Sequence, residues 1–184
     1  MDVNNTDIRL GVLFVDDEEN ILNSMRRLFM DDGFEIFTAT SGEQGLKILA
    51  NTPNIALIVS DQRMPGITGA QFLEKAKTIR PDALRILLTG HSDINAVVDA
   101  INKGGAYRYL TKPWDDDVLR QSIREALKIY ALTRENRRLN EIIREHNKKL
   151  RNWNTELEQM VQVQTMELSN PVSYTHLTLP TKRI

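Results

Sequence analysis

The chain has 184 residues, of which 24 are Lys or Arg and 25 are Asp or Glu, so its formal net charge is -1. This length suits one domain of roughly 100–200 residues with an appendage. The balanced charge argues against a general nucleic-acid binder. Because the sequence contains no cysteine, it excludes disulfides, zinc–thiolate sites, iron–sulfur clusters and a thiol nucleophile.

The N-terminal segment, MDVNNTDIRL, lacks the basic region and the apolar core of a signal peptide. No stretch approaches the roughly 20 apolar residues that are needed to span a bilayer. We therefore expect a cytoplasmic protein without a membrane partner.

Short β-rich apolar runs alternate with amphipathic segments between residues 9 and 112. This alternation is typical of βα units around a parallel sheet. The predicted strands are Leu10–Val15, Glu35–Ala39, Ile55–Ser60, Arg85–Thr89 and Tyr107–Thr111. The predicted helices are Asn20–Met30, Gly42–Ala50, Gly69–Thr78 and Asn95–Lys103. We expect an α/β fold with a five-stranded, parallel, doubly wound sheet, which binds ligands at the carboxyl ends of its strands.

From Asp115 onwards, neither Pro nor Gly interrupts the sequence until Pro171, and this predicts one long helix. Two sets of positions recur every seven residues along it, as in a coiled coil. The expected dimer seam consists of Ile129, Asn136, Leu139, Ile143, Leu150, Trp153, Leu157 and Met160. Asn136 at a core position favours a dimer, so we expect a homodimer. A solvated helix, or one packed on a domain outside this sequence, is the alternative.

The last stretch, Val172–Ile184, shares neither the helical period nor the charge density of the preceding segment. It resembles the translated reading frame of a transposase-end adaptor used for DNA sequencing libraries. We expect residues 171–184 to be a disordered artefact, and the natural protein to continue beyond about Asn170. The expected organisation is a tail at 1–8, a domain at 9–130 and a coiled-coil linker at 131–170.

Acidic residues follow two of the predicted strands. Asp16 and Asp17 follow the first strand, and Asp61 follows the third. Because parallel strands end side by side, these carboxylates should converge, and their repulsion calls for a cation. Oxygen ligands suit a hard ion such as Mg²⁺, although the first run also suits a charged helix N-terminus.

Two further strand ends add a hydroxyl and an ammonium. Thr89 closes the fourth strand, and Lys112, followed by Pro113, closes the fifth. A carboxylate nucleophile, a metal, a hydroxyl and an ammonium are what a transferring phosphoryl group needs.

At these strand ends the sequence resembles a response-regulator receiver domain of bacterial two-component signalling, over about Arg9–Tyr130. The motifs that carry the resemblance are Val15-Asp16-Asp17-Glu18, Asp61-Gln62-Arg63-Met64-Pro65-Gly66 with Gly69, Leu88-Thr89-Gly90, and Tyr109-Leu110-Thr111-Lys112-Pro113. The resemblance implies a flavodoxin-like receiver fold.

The resemblance implies that Asp61 accepts a phosphoryl group from a phosphohistidine on a sensor histidine kinase or phosphotransfer protein. It also implies that Asp16, Asp17, Asp61 and the backbone carbonyl of Arg63 bind Mg²⁺.

The resemblance also implies roles for residues on the fourth and fifth strands. Lys112 would pair with Asp61 or its phosphoryl oxygen. Thr89 would move to the phosphoryl group, and Tyr109 would follow it inward as the second switch residue. The peptide bond before Pro113 is expected to be cis. Arg63 and His91 are particular to this sequence: from their places next to Asp61-Gln62 and Thr89-Gly90 they would flank the phosphoryl group and control access of water, with a solvent-exposed loop residue as the alternative for His91.

For the whole protein, we expect phosphorylation to switch an output through the coiled coil. The Glu135–Glu141 and Asn147–Leu150 segments look similar to linkers that join receivers to HD-type phosphohydrolases. They imply a cyclic di-GMP phosphodiesterase outside this sequence, with a cyclase or histidine-kinase module as alternatives. The segment itself is expected to be a self-phosphorylating switch, not an enzyme.

Three other interpretations stay open at this point. A haloacid-dehalogenase-type phosphatase would use the same groups, but it needs an Asp-x-Asp loop on the first strand. A degenerate receiver would act as a dimerisation scaffold only. The basic residues of the helix would suit a DNA-gripping coil, but Glu135, Glu141 and Glu145 interrupt them, as in a solvated coil surface.

Overall fold

The computed structural model describes residues 9–90, 97–98 and 101–169. Several predictions lie outside these residues: the tail at 1–8, residues 171–184, His91, and residues 95–96 and 99–100 of the predicted helix Asn95–Lys103. The chain divides into two compact units, Met1–Arg134 and Glu135–Ile184, and each is described by itself.

Five parallel strands form one sheet in the order β2-β1-β3-β4-β5. The strands are β1 Gly11–Val15, β2 Glu35–Ala39, β3 Ile55–Asp61, β4 Leu84–Thr89 and β5 Arg108–Thr111. Every residue of β1 and β3 is buried, because helices cover both faces of the sheet, and this explains their continuous apolar runs. The strand order reverses between β1 and β3, which opens a crevice at their carboxyl ends. The predicted fold class is confirmed.

Three helices of the first unit are α1 Glu19–Leu28, α2 Gly42–Asn51 and α3 Gly69–Ile79. Their starts follow ordinary capping chemistry, since Ser41 accepts a bond from the Gln44 amide, and Thr68 and Gln71 form a reciprocal capping box. One core cluster contains side chains of α2 and α3, and the other contains side chains of α1 and the long C-terminal helix. The helices therefore lie on both faces of the sheet, as in a doubly wound fold.

The long helix runs over Asp116–Ser169, 54 residues without a break, as predicted. Asp115 caps it, because its Oδ1 accepts hydrogen bonds from the amides of Asp117 at 2.9 Å and Val118 at 3.2 Å. In its first turns, Leu119 and Ile123 are fully buried in the core of the first unit.

The second unit, Glu135–Ile184, contains the remainder of this helix. Asn136 is exposed, and the predicted hydrophobic seam residues of this unit are 50% to 60% exposed. These are Leu139, Ile143, Leu150, Trp153, Leu157 and Met160. The pairing of this seam with a second chain stays a prediction. Within the described residues, no helix has both the length and the apolar character to cross a membrane.

Candidate functional site

Three carboxylates meet at the carboxyl end of the sheet, and we call them the acidic cluster. Asp16 follows β1, Asp17 comes next, and Asp61 ends β3, which lies between β1 and β4. Each residue contributes an oxygen, and these oxygens all lie within 4.8 Å of one another. Asp16 is 2% exposed and Asp61 is 6% exposed, whereas Asp17 is open to solvent. The predicted convergence of the strand ends therefore occurs.

Lys112 reaches across the cluster from the end of β5. Its Nζ lies 2.9 Å from Asp16 Oδ2 and 2.8 Å from Asp61 Oδ1. Its peptide bond to Pro113 is cis, and its ammonium lies 5.9 Å from the centroid of the Trp114 ring. One positive charge from Lys112 against three carboxylates leaves these four groups with excess negative charge. A hard divalent cation would neutralise that excess.

Burial and neighbouring charges shift the protonation of this site. Burial raises the pKa of Asp61, the charge of Asp16 raises it further, and the ion pair with Lys112 only partly opposes these effects. Burial lowers the pKa of Lys112, but its hydrogen bonds to Asp61 and Asp16 outweigh burial, and the net pKa is raised. The site therefore stabilises the charged form of Lys112 and destabilises the charged form of Asp61.

Backbone contacts fix the position of Asp61. The Gln62 amide donates to the carbonyl of Leu88 at 2.9 Å, and the Gly69 amide donates to the carbonyl of Gln62 at 3.0 Å. A Cβ on Gly69 would lie 2.1 Å from the backbone oxygen of Asp61, so only glycine fits here. The Arg63 amide donates to Asp61 Oδ2 at 3.2 Å. The chain is thus folded tightly around the carboxylate.

The predicted switch residues lie on the two neighbouring strands. Thr89 ends β4, is 2% exposed, and donates its hydroxyl to the carbonyl of Gly90 at 3.3 Å. Tyr109 lies in β5 and is 47% exposed. Tyr109 lies beside Leu87 of β4, two positions before Thr89, which pairs with Thr111.

Gln62 also shapes this site, in a role that its sequence motif did not predict. The side-chain oxygen of Gln62 accepts a hydrogen bond from the Ala70 amide at 3.0 Å, at the start of α3. It ties the loop after Asp61 to that helix. The sequence shows that Gln62 directly follows Asp61. Its hydrogen-bond partner, Ala70, is eight residues away, and the sequence alone does not predict that contact.

Comparison with known proteins identifies the class of this fold and site. Residues 12–124 match the family model described as the response regulator receiver domain. The chain belongs to this family, which confirms the resemblance predicted from its motifs. The match also sets aside the haloacid-dehalogenase alternative.

Particular relatives carry the same domain. The chain is 34% identical over 134 residues to the hydrogenase transcriptional regulatory protein HoxA of Cupriavidus necator, a match that covers 73% of this chain and 27% of that protein. Among solved structures, the signal receiver domain of an HD domain-containing protein from Pseudomonas fluorescens is 34% identical with a TM-score of 0.67, covering 73% of this chain and 98% of that chain. The chain thus spans about a quarter of the length of the curated relatives that it matches.

A third similar structure is described as adenylate cyclase from Rhodopirellula baltica. It is 31% identical with a TM-score of 0.67, over 71% of this chain and 96% of that chain. The similar proteins therefore carry names that refer to different outputs.

Proposed function

We propose that this receiver accepts a phosphoryl group on Asp61 from a phosphohistidine of a sensor histidine kinase or phosphotransfer protein. The observation that carries the proposal is the acidic cluster, in which Asp61 lies within 4.8 Å of two other carboxylates and 2.8 Å from Lys112. An Asp61 oxygen attacks phosphorus, the phosphorus–nitrogen bond breaks, and the imidazole leaves. Lys112 pairs with the phosphoryl oxygens, whose negative charge it stabilises.

The acidic cluster fits Mg²⁺, because it offers only oxygen donors and its charge exceeds that of Lys112. Asp16, Asp17, Asp61 and the backbone carbonyl of Arg63 would hold the ion. When bound, Mg²⁺ neutralises the negative charge that builds up on the phosphoryl oxygens.

Thr89 and Tyr109 are the proposed switch residues. The Thr89 hydroxyl is buried at the strand end beside Asp61, so a small movement would let it donate to a phosphoryl oxygen instead of the Gly90 carbonyl. The half-exposed Tyr109 ring would then turn inward. A phosphoryl group stabilises whichever state makes more favourable contacts with it.

Intact mass after incubation with Mg²⁺ and acetyl phosphate tests the phosphoacceptor role. We expect one labile phosphoryl adduct on residues 1–170, which disappears in Asp61→Asn and in the presence of a chelator. Asp31→Asn, which changes an exposed loop carboxylate, is the matched control and should keep the adduct. A folded protein without an adduct would instead be a dimerisation scaffold.

Tryptophan fluorescence tests the binding of Mg²⁺. Trp114 lies beside Lys112, so its fluorescence should respond to the ion once Trp153 is replaced by Phe. Asp17→Asn should weaken Mg²⁺ binding by about tenfold or more. Glu18→Gln, one residue further along, should leave the affinity unchanged. Equal affinities in all variants would contradict the assignment of Asp17.

We propose that the exposed seam of the long helix pairs with a second copy of the chain. Its support is the heptad spacing of Leu139, Ile143, Leu150 and Leu157, all at least half exposed. Sedimentation should show a dimer that Leu150→Glu disrupts and the exposed neighbour substitution Arg151→Glu does not. A monomer at every concentration would refute this pairing.

For the whole protein, we propose an HD-type output that cleaves cyclic di-GMP. Support comes from the linker resemblance and from the similar receiver of an HD domain-containing protein. A transcription regulator is the second candidate, because HoxA carries that description. Cyclic di-GMP hydrolysis by the whole protein would support the first output, and specific DNA retention without hydrolysis would support the second. This segment itself is proposed to make no direct contact with nucleic acid.

A further inference from the structure

Asp32, in the loop between α1 and β2, is buried against the long helix. Its side chain is 2% exposed, and arginines of the long helix bind both of its oxygens. Arg120 Nη1 donates to Oδ2 at 2.8 Å, and Arg124 donates to Oδ1 from Nε at 2.9 Å and from Nη2 at 2.5 Å. We call Asp32, Arg120 and Arg124 the Asp32 latch.

Arg120 also binds the C-terminal end of α1. Its Nη2 donates to the backbone carbonyl of Leu28, the last residue of α1, at 2.9 Å. Its guanidinium carbon lies 5.8 Å from the centroid of the Phe29 ring. A cation is favourable here, because the last carbonyls of a helix lack intrahelical partners and carry partial negative charge. The latch therefore ties one end of α1 to the long helix.

The other end of α1 begins at the acidic cluster. The Glu18 amide donates to Asp16 Oδ1 at 2.9 Å, and α1 starts at the next residue. A second contact links β1 to the end of α1 near the latch. The ring of Phe29 stacks on that of Phe14 in β1, with centroids 5.6 Å apart. Phe14 precedes Asp16 by two residues. One short helix and one aromatic stack thus connect Asp16 with the latch.

We propose that the Asp32 latch couples the acidic cluster to the long helix. The proposal rests on the proposed function, because the signal is the phosphoryl group on Asp61, whose charge of roughly −1.5 to −2 replaces the single charge of the carboxylate beside Asp16. A shift of Asp16 moves the start of α1, and the latch passes that movement to the first turns of the long helix. This route does not use Thr89 or Tyr109.

Hydrogen exchange of residues 116–134, with and without acetyl phosphate and Mg²⁺, tests the coupling. Asp32→Asn keeps the side-chain shape but removes the charge, and Asp31→Asn is the neighbouring control on an exposed carboxylate. We expect both variants to form the phosphoryl adduct as the unsubstituted chain does. In Asp32→Asn, the amides of 116–134 should exchange about tenfold faster, and the change on phosphorylation should be lost.

Unchanged exchange in Asp32→Asn, with a phosphorylation-linked change equal to that of Asp31→Asn, would overturn the coupling. If Asp32→Asn does not fold, Arg124→Gln serves instead, because it removes the more exposed arginine and leaves the Arg120 ion pair. It should reduce the phosphorylation-linked change, and an undiminished change would reject the latch. If the unsubstituted chain forms no adduct, the proposed phosphoacceptor role is wrong. Intact mass detects that outcome independently of hydrogen exchange.

Discussion

The acidic cluster and the Asp32 latch both place a buried carboxylate against basic side chains, but with opposite balances of charge. The acidic cluster has three carboxylates and the ammonium of Lys112. The latch has one carboxylate and two guanidinium groups, which occupy both of its oxygens. Excess negative charge in a crevice favours binding of a cation, whereas a saturated carboxylate favours a fixed contact between elements. The difference distinguishes a site whose charge suits binding of a cation from a site whose charge suits a fixed contact.

The two sites also differ in how they are positioned. Backbone contacts surround Asp61, including the close approach of Gly69. The latch depends on long arginine side chains that reach Asp32 from the helix. Small backbone changes should therefore damage the first site, and changes of charge should damage the second.

Gly69→Ala should have the largest effect. The added Cβ would lie 2.1 Å from the backbone oxygen of Asp61 and 2.9 Å from the Cα of Gln62, so the loop has to shift. We expect a loss of about 3 kcal/mol in the free energy of unfolding, together with slower phosphorylation. Urea denaturation and intact mass measure the two effects. Since the latch lies elsewhere, hydrogen exchange of residues 116–128 under native conditions should change far less than that of residues 61–70.

Asp32→Asn should come next. It leaves two guanidinium groups facing a neutral amide, and removing one partner of a buried pair is costly. The arginine side chains are 32% and 62% exposed, so solvent reduces the cost to about 2 kcal/mol. Denaturation with urea, compared with Asp31→Asn, measures it. A stability equal to that control would mean that water replaces the carboxylate without loss.

The sequence predicted the acidic cluster but not the latch. Strand period and strand ends place Asp16 and Asp61 side by side, because the carboxyl ends of parallel strands are neighbours in any doubly wound sheet. Asp32 lies in the segment Asp31-Asp32-Gly33, whose composition is typical of a surface loop. Arg120 and Arg124 are four residues apart on a helix, and this spacing is typical of a solvent-exposed helix face.

Tertiary contacts explain this difference. The latch joins residues 88 and 92 positions apart in the chain, and no local period indicates which loop meets which helix face. The long helix itself was predicted, because its uninterrupted run and the cap at Asp115 are local signals. The partner of its heptad seam depends on a second chain, so that seam stays a prediction from spacing.

Asp61→Asn should have the smallest effect on stability, and the opposite sign to Asp32→Asn. The pKa of Asp61 is raised above 3.8 chiefly by burial, with a contribution from Asp16, so the folded state binds a proton more readily than the unfolded state. Ionised Asp61 therefore destabilises the metal-free fold above its folded pKa, and this cost disappears as the pH falls through that pKa towards 3.8. With chelator at about pH 7, we expect Asp61→Asn to be more stable than the unsubstituted chain, by less than Asp32→Asn loses.

Urea denaturation of Asp61→Asn and the unsubstituted chain across this pH range measures the predicted gain. The gain should shrink towards acid pH and reverse on addition of Mg²⁺, because only the carboxylate binds the ion and bound ligand stabilises the folded state. A loss of stability in chelator at neutral pH would mean that the ion pair with Lys112 outweighs the cost of burial. The acidic cluster would then resemble the latch, as a contact that holds the fold.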